Sequence, residues 1–260
     1  MVEGKKELRM VLLGKTGCGK SASGNTILKE EHFKSELRST SVTQRSSKKT
    51  RHLDGQDLIV VDTPGLFNTK EDKEKNIKEI VRCLSLTNPG PHVFLWVMKA
   101  DSFTGEDKKS IEIFQKVFES AEKYTIVLFT GKEEEDVKAF IEKNKDVKKF
   151  ISECRGYHVF DKINPDGDED LKLVEKMNNM VKENGKPYSS SHIEKVNAAI
   201  QELMNQPEAQ SAEDCEEWAL ELLEELIDKG TKLLVQKVPI LGDVLDFLIK
   251  VADECTKDSQ

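Results

Sequence analysis

The 260 residues are 37% hydrophobic and 34% charged, enough apolar material for one large domain with an appendage, or for two small domains, inside a heavily charged surface. A net charge of -8 argues against nucleic acid as a main partner, because phosphate backbones select basic surfaces, but it leaves room for a nucleotide held by local cations and amides. Five cysteines (Cys18, Cys83, Cys154, Cys215 and Cys255) with no C-x-x-C pair fit reduced thiols, and no run approaches the ~18 uncharged apolar residues of a membrane helix. With no apolar leader at Met1 to Leu8 and no lipidation signal, the expectation is a soluble, cytoplasmic chain.

Leu8 to Leu13 is an apolar run ending at Gly14 and reads as a buried strand, followed by a helix over Ala22 to Lys29. Phe33 to Ser47 has no period and reads as a long loop, a length that often serves function. Asp57 to Val61 is a strand ending in Asp62-Thr63-Pro64-Gly65. Glu71 to Leu86 is helical, with Ile77, Ile80, Val81 and Leu84 on one face. Val93 to Met98 (strand), Gly105 to Glu119 (helix), Thr125 to Phe129 (strand), Glu133 to Phe150 (one charged helix), Tyr157 to Phe160 (strand) and Asp168 to Lys182 (helix) complete the alternation. Continuous apolar strands between helices predict an α/β fold with a mostly parallel sheet buried on both faces. Polar breaks at Lys186 to Ser191 and Gln206 to Ser211 place a domain boundary near the first, dividing 1–188 from an amphipathic helical extension, 189–260. In the extension, Asp214 to Asp228 and Val238 to Val251 read as helices.

Gly14-Lys15-Thr16-Gly17-Cys18-Gly19-Lys20-Ser21 fits G-x-x-x-x-G-K-[ST] between a strand and a helix. Its glycines let backbone N–H groups wrap a phosphate, and the helix that continues through Ala22 adds the positive end of its dipole. Lys20 can reach the β- and γ-phosphates, and the Ser21 hydroxyl can ligate Mg²⁺. Asp62, after a strand, is placed to hold the same metal, and the Gly65 N–H to sense the γ-phosphate. In Thr130-Gly131-Lys132-Glu133, the Glu133 carboxylate can accept from guanine N1–H and the 2-amino group, donors that adenine lacks, while the Lys132 stem lies across the base. That favours GTP and GDP over ATP. An ATP-using P-loop kinase is the rival that Thr130 to Glu133 speaks against. The metal-sensing threonine lies in the long loop, with Thr40 and Thr43 as candidates that spacing does not separate.

At this point the chain resembles a family, the GTPases of immunity-associated proteins, within the septin-like branch of P-loop GTPases. The resemblance covers about Leu8 to Tyr188. It rests on Gly14–Leu28 (GKTGCGKSASGNTIL), Ser41-Val42-Thr43, Asp62–Phe67 (DTPGLF), Pro89–Phe94 (PGPHVF), Phe103-Thr104 before an acidic pair, Tyr124–Thr130 (YTIVLFT) and Gly156-Tyr157. It implies a Ras-like, mixed, mostly parallel six-stranded sheet with helices on both faces. It implies Thr43 as the switch threonine, acting with Lys20 in any hydrolysis and with Ser21 and Asp62 at the metal, and Lys132 and Glu133 as guanine readers. It further implies GTP-dependent self-association as a dimer through the nucleotide face, a C-terminal helical extension near the switches, and peripheral association with intracellular membranes.

The departures bear on catalysis. The family's base-contacting asparagine is replaced in Phe160-Asp161-Lys162, where Asp161 would have to substitute. Ser102 stands where hydrolysing members place an arginine, a residue worth about 10³ to 10⁵ in rate where it acts. Leu66 follows Gly65 in place of a water-orienting glutamine, and Lys99 is a weak substitute for the arginine. Slow turnover is expected, by a GTP switch or by a GTP-loaded assembly scaffold. His92 reads as structural rather than functional, and Cys18 as a small core-facing residue rather than a reactive thiol. The C-terminal helices read as a regulatory element on the nucleotide domain, as a partner surface, or as a membrane contact that their acidic residues disfavour.

Overall fold

The computed structural model describes residues 6–34, 43, 45–66, 73–160, 168–211, 214–228, 238–242, 246 and 249–250. Six strands, β1 (Lys6–Leu13), β2 (Ser47–Leu53), β3 (Gln56–Asp62), β4 (Val93–Lys99), β5 (Thr125–Thr130) and β6 (Tyr157–Phe160), form one sheet in the order β2-β3-β1-β4-β5-β6. Only β2 runs antiparallel, against β3. Successive side chains point to opposite faces, so each central strand feeds two cores. Leu8, Met10 and Leu12 of β1 join one apolar cluster, while Val11 and Leu13 join the other. β4 divides likewise, with Val93, Leu95 and Val97 on one side and Phe94, Trp96 and Met98 on the other.

Helix α1 (Lys20–Leu28) and α6 (Glu169–Asn184) cover the first face through Ile27, Leu28, Leu173, Val174, Met177 and Met180. The second face is covered by α2 (Lys73–Leu86), α3 (Gly105–Val117), α4 (Glu134–Lys143) and α5 (Lys145–Glu153). Beyond them, α7 (Ser191–Met204), the short α8 (Pro207–Gln210) and α9 (Cys215–Asp228) follow. Ile193, Val196, Ala199, Ile200 and Leu203 of α7 and Ala219, Leu220 and Leu223 of α9 are buried in the same cluster as α2 and α3. The helices after residue 188 therefore continue the second core.

The elements depart from the sequence expectations at three places. The polar strand β2 was not anticipated, because its side chains are mostly exposed at the sheet edge and carry no apolar alternation. Its turn is legible afterwards: Asp54 and Gly55 have φ of 47° and 79°, the Asp-Gly pairing of a tight hairpin. The single helix expected over Glu133 to Phe150 is two, α4 and α5, broken at Asn144, whose φ and ψ of -117° and 97° are extended. In the Val238 to Val251 stretch, Pro239–Leu241 form a 3₁₀ turn with Val238 and Leu241 buried, and most of the rest lies outside the described residues. Among the described residues no helix is long and apolar enough to cross a membrane.

The PGPHVF stretch enters β4 at the sheet end opposite the phosphate loop. A Cβ at Gly90 would collide with the Tyr188 carbonyl, and the Tyr188 N–H donates to Pro91 O at 2.8 Å. The Gly90 carbonyl accepts from Arg9 Nε at 2.8 Å, and His92 Nδ1 accepts from the Arg9 backbone N–H at 3.0 Å. The stretch thus clasps β1 to the segment leading into α7, and His92 is structural. Burial and the adjacent Arg9 charge lower its pKa to about 4.

Two outcomes follow for stability. Ile193→Ala, at a fully buried α7 position, should lower unfolding free energy by about 2–5 kcal/mol in denaturant titrations, in a single transition shared with the six-stranded sheet. A histidine held neutral in the native state is charged first in the unfolded one. Its stabilising effect is therefore present above pH 6.5 and lost as pH falls from 6.5 towards 4. His92→Asn, which keeps an acceptor for Arg9, should flatten the stability difference between pH 7.5 and 5 by roughly 1–2 kcal/mol, discounted for partial exposure.

Candidate functional site

Because β1, β3, β4, β5 and β6 are parallel, the loops after Leu13, Asp62, Lys99, Thr130 and Phe160 leave the same edge of the sheet, the edge where such folds bind ligands. The loop from Gly14 to Gly19 depends on its glycines. Gly14, Gly17 and Gly19 have φ of 137°, 76° and 103°, and a Cβ at Gly14 would collide with the Val97 carbonyl. Gly19 caps α1, so the first N–H groups of that helix point into the loop. Lys20 is 6% exposed and its ammonium donates to the carbonyls of Gly14 and Lys15, both at 3.0 Å. The cation is thereby fixed inside the loop that would surround a phosphate chain.

Two threonines, one just after β3 and one at the end of β5, brace the strand leading into the loop and the loop itself. Thr63 Oγ1 donates to Leu12 O at 2.6 Å, and Thr130 Oγ1 donates to Cys18 O at 2.8 Å. Gly65 lies against the loop as well: a Cβ there would stand 2.5 Å from Thr16 Oγ1 and 3.1 Å from Thr16 N. Lys15 is exposed and reaches Glu106 at 3.5 Å and Asp107 at 3.9 Å. Those acids are the pair noted after Phe103-Thr104, and Asp107 also closes a capping box with Thr104 at the start of α3.

The three residues expected at a metal converge. Ser21 Oγ donates to Asp62 Oδ2 at 2.6 Å, Thr43 Oγ1 donates to the same oxygen at 3.2 Å, and the two hydroxyls are 3.1 Å apart. Of the two threonines left open by spacing, Thr43 is the one seen at the site; Thr40 lies outside the described residues. Asp62 is 1% exposed, and its second oxygen, Oδ1, is buried without a hydrogen-bond partner. Burial raises the Asp62 pKa against hydrogen bonds from Ser21 and Thr43 and the charge of Lys20. Two hydroxyls and a carboxylate with a spare oxygen are hard donors that suit Mg²⁺. Among the described residues no group of three His, Cys, Asp or Glu side chains could hold a metal, so a cation here depends on this hydroxyl–carboxylate set.

In the loop after β5, Gly131 has φ of 81°, and Lys132 and Glu133 are exposed, with Glu133 at the N-cap of α4 and its side chain making no cap hydrogen bond. A carboxylate not engaged by its own helix suits recognition of a donor on a base. Ala22 is exposed on the first turn of α1, and Asp161 lies outside the described residues. Cys18 is buried and its thiol pKa is raised by that burial, which makes it the small core-facing residue expected. Ser102 is exposed and bonds Asp101, and Leu66 is 3% exposed inside the second core.

Sequence reasoning missed how the long loop is anchored. Asn25, in the GNTIL stretch, donates to Phe33 O at 2.8 Å and accepts from the N–H groups of His32 and Phe33 at 3.1 and 2.9 Å. At the far end, Ser46 N–H and Oγ both donate to Glu79 of α2 at 2.7 Å, and Arg82 Nε donates to Ser46 O at 2.8 Å. Glu79 and Arg82 lie on the side of α2 opposite Ile77, Ile80, Val81 and Leu84, where charged residues are ordinary, so no sequence signal marked them.

The sequence model of the AIG1 family matches residues 8–208. The chain belongs to that family. Its relatives include mouse "GTPase IMAP family member 8", 37% identical over 213 residues (77% of this chain, 31% of the relative), and "Immune-associated nucleotide-binding protein 9" of Arabidopsis thaliana, 36% identical over 196 residues (69% and 57%). The chain thus spans about a third of the length of the mammalian relatives and about half of the plant ones. Among solved structures, Toc33 of Arabidopsis thaliana in complex with Mg²⁺ and GMPPNP matches with a TM-score of 0.54 at 18% identity, over 70% of this chain and 87% of that one. Era of Aquifex aeolicus matches with a TM-score of 0.51 at 17% identity, over 78% and 69%. The fold of this AIG1 protein is thus that of Ras-like P-loop G domains, and its family is one of GTP-binding GTPases.

In the ligand-free chain Asp62 carries a desolvation cost that a cation would relieve. Asp62→Asn should leave thermal stability equal or higher without ligand, and should abolish the stabilisation by Mg²⁺ with a GTP analogue, measured by thermal shift with and without chelator.

Proposed function

We propose that this AIG1-family chain is a guanine-nucleotide-dependent switch or self-assembling scaffold that binds GTP and GDP with Mg²⁺ and hydrolyses GTP slowly. The observation that carries it is a contrast within one sheet edge: Ser21, Thr43 and Asp62 meet within 3.2 Å, while Leu66 is buried in the core and Ser102 is exposed. The metal-binding parts are assembled, and the usual water-orienting and arginine functions have no equivalent at those two positions.

On this reading the backbone of Gly14 to Ala22 cradles the phosphates, and Lys20 moves its bonds from the Gly14 and Lys15 carbonyls to phosphate oxygens. Mg²⁺, when bound by Ser21, Thr43 and Asp62, would neutralise charge on the phosphates. Thr43 and the Gly65 N–H respond to the γ-phosphate, which orders their two loops. Lys132 and Glu133 select guanine, with Asp161 in place of the family's asparagine. Residues 1–188 form the nucleotide domain and 189–260 the helical extension. The proposed setting is cytoplasmic, with peripheral contact to an intracellular membrane and no nucleic-acid partner. Self-association as a dimer is supported by the likeness to Toc33, since dimerization is important for the GTPase activity of the chloroplast translocon components atToc33 and psToc159; the nucleotide face is the proposed surface.

A second reading, an oligomeric scaffold loaded with GTP and without significant hydrolysis, is favoured by the same Leu66 and Ser102. Single-turnover GTP hydrolysis, run dilute and concentrated, separates the two. A rate that rises with protein concentration is the outcome for a dimer-assisted GTPase. A flat, near-zero rate with GTP-dependent growth in mass by light scattering is the outcome for the scaffold. Comparable affinity for ATP and GTP, or normal GTP binding by a Lys20→Ala, Ser21→Ala double variant, would sink both.

A further inference from the structure

The segment that follows Thr43 is held by charges from two different helices. Arg82 of α2 is 6% exposed and gives Nε to the Ser46 carbonyl. Its two other nitrogens reach into α9: one pairs with Glu217 at 2.8 and 2.9 Å, the other with Glu224 at 3.3 Å. Arg45, two residues beyond Thr43, donates to both Glu224 oxygens at 3.0 Å and lies 3.3 Å from Glu217. Glu217 and Glu224 are seven residues apart, two turns of helix, and so lie on one face of α9. A buried guanidinium deprived of its carboxylates is strongly unfavourable. The grip of Arg82 on Ser46 therefore depends on α9 being docked. In this same structure Thr43 sits on Ser21 and Asp62, so docked α9 and inward Thr43 coexist.

We propose that Glu217 and Glu224 of α9, acting through Arg82 and Arg45, are positioning residues for Thr43 at the Mg²⁺–nucleotide site. This rests on the guanine-nucleotide reading above and adds to it a role for a helix that meets the long loop at Arg45. The linkage is reciprocal: whatever draws Thr43 inward also holds α9 down.

The test is the release rate of fluorescent mant-GppNHp and mant-GDP from the full chain across a Mg²⁺ titration. A Glu217→Gln, Glu224→Gln variant should release mant-GppNHp about 5- to 10-fold faster and need correspondingly more Mg²⁺ to retain it, with mant-GDP release within about twofold of wild type, because Thr43 answers to the γ-phosphate. Arg45→Gln should also accelerate mant-GppNHp release, and adding it to Glu217→Gln, Glu224→Gln should accelerate release by less than the product of the two effects, because both remove the same contacts. Hydrogen exchange over 215–228 should be slower with GppNHp than with GDP, a response that mere packing of α9 would not give. Equal acceleration for both nucleotides, no acceleration for either, fully multiplicative effects of Arg45→Gln and the glutamate pair, or α9 exchange unchanged or faster with GppNHp would each overturn the coupling. A wild-type chain that retains neither nucleotide would overturn the guanine-nucleotide reading as well. Wild-type retention with unaltered variants overturns the coupling alone.

Discussion

Asp62 is a carboxylate almost wholly withdrawn from water at the end of a buried strand, and the nucleotide edge is organised around it. Withdrawing a charge is unfavourable unless hydrogen bonds or an opposite charge compensate. Here one oxygen accepts from Ser21 and Thr43, Lys20 contributes its field, and the other oxygen has no partner. The compensation is partial, which leaves the residue poised for a cation. Each supporting feature serves that placement. The parallel ladder between β1 and β3 fixes Asp62 beside the start of the phosphate loop, Thr63 ties it to Leu12, and Gly65 brings the following turn against Thr16.

Much of this was legible because it is written in local chemistry. Glycines with positive φ, a lysine inside the loop they form, and an acid at a strand end are all short-range signals that need no knowledge of the partner element. Thr43 was legible only through resemblance, since the loop around it has no period and Thr40 fits spacing equally well. Strand β2 escaped because an exposed edge strand has no reason to alternate apolar and polar residues. The break at Asn144 escaped because both halves of the charged segment are good helix formers and only tertiary packing distinguishes one helix from two. The contacts of Arg82 with Glu217 and Glu224 escaped for a different reason: pairs separated by more than 130 residues are fixed by topology, and no spacing rule reaches that far.

The stretches most characteristic of the resemblance turn out to differ in kind. GNTIL and PGPHVF carry little chemistry of their own. Asn25 of the first pins the start of the long loop to α1, and Gly24 has no room for a side chain beside the Phe33 ring. The second joins β1, β4 and the approach to α7 at the opposite end of the sheet, through Arg9, His92 and Tyr188. A motif can thus be specific to a family because it holds that family's particular packing, while the residues that would meet nucleotide are shared with P-loop proteins at large.

The two ends of the long loop are held very differently, and this bears on what kind of switch the fold can support. The start is fixed to α1, the element that begins at the phosphate loop, by neutral hydrogen bonds from one asparagine. The far end is fixed by ionic contacts to α2 and α9, and α9 lies in the region after residue 188. Neutral short bonds at one end make that end part of the phosphate loop's own scaffold. Charged contacts shared with a distant helix make the other end responsive to whatever that helix meets, because an ion pair with one partly exposed member can be competed for by a partner's charges. Thr43 lies three residues from the responsive end. In a chain whose own hydrolytic groups are proposed to be incomplete, control over how firmly the γ-phosphate state is held would then rest less on chemistry at the phosphate than on the occupancy of the α9 surface.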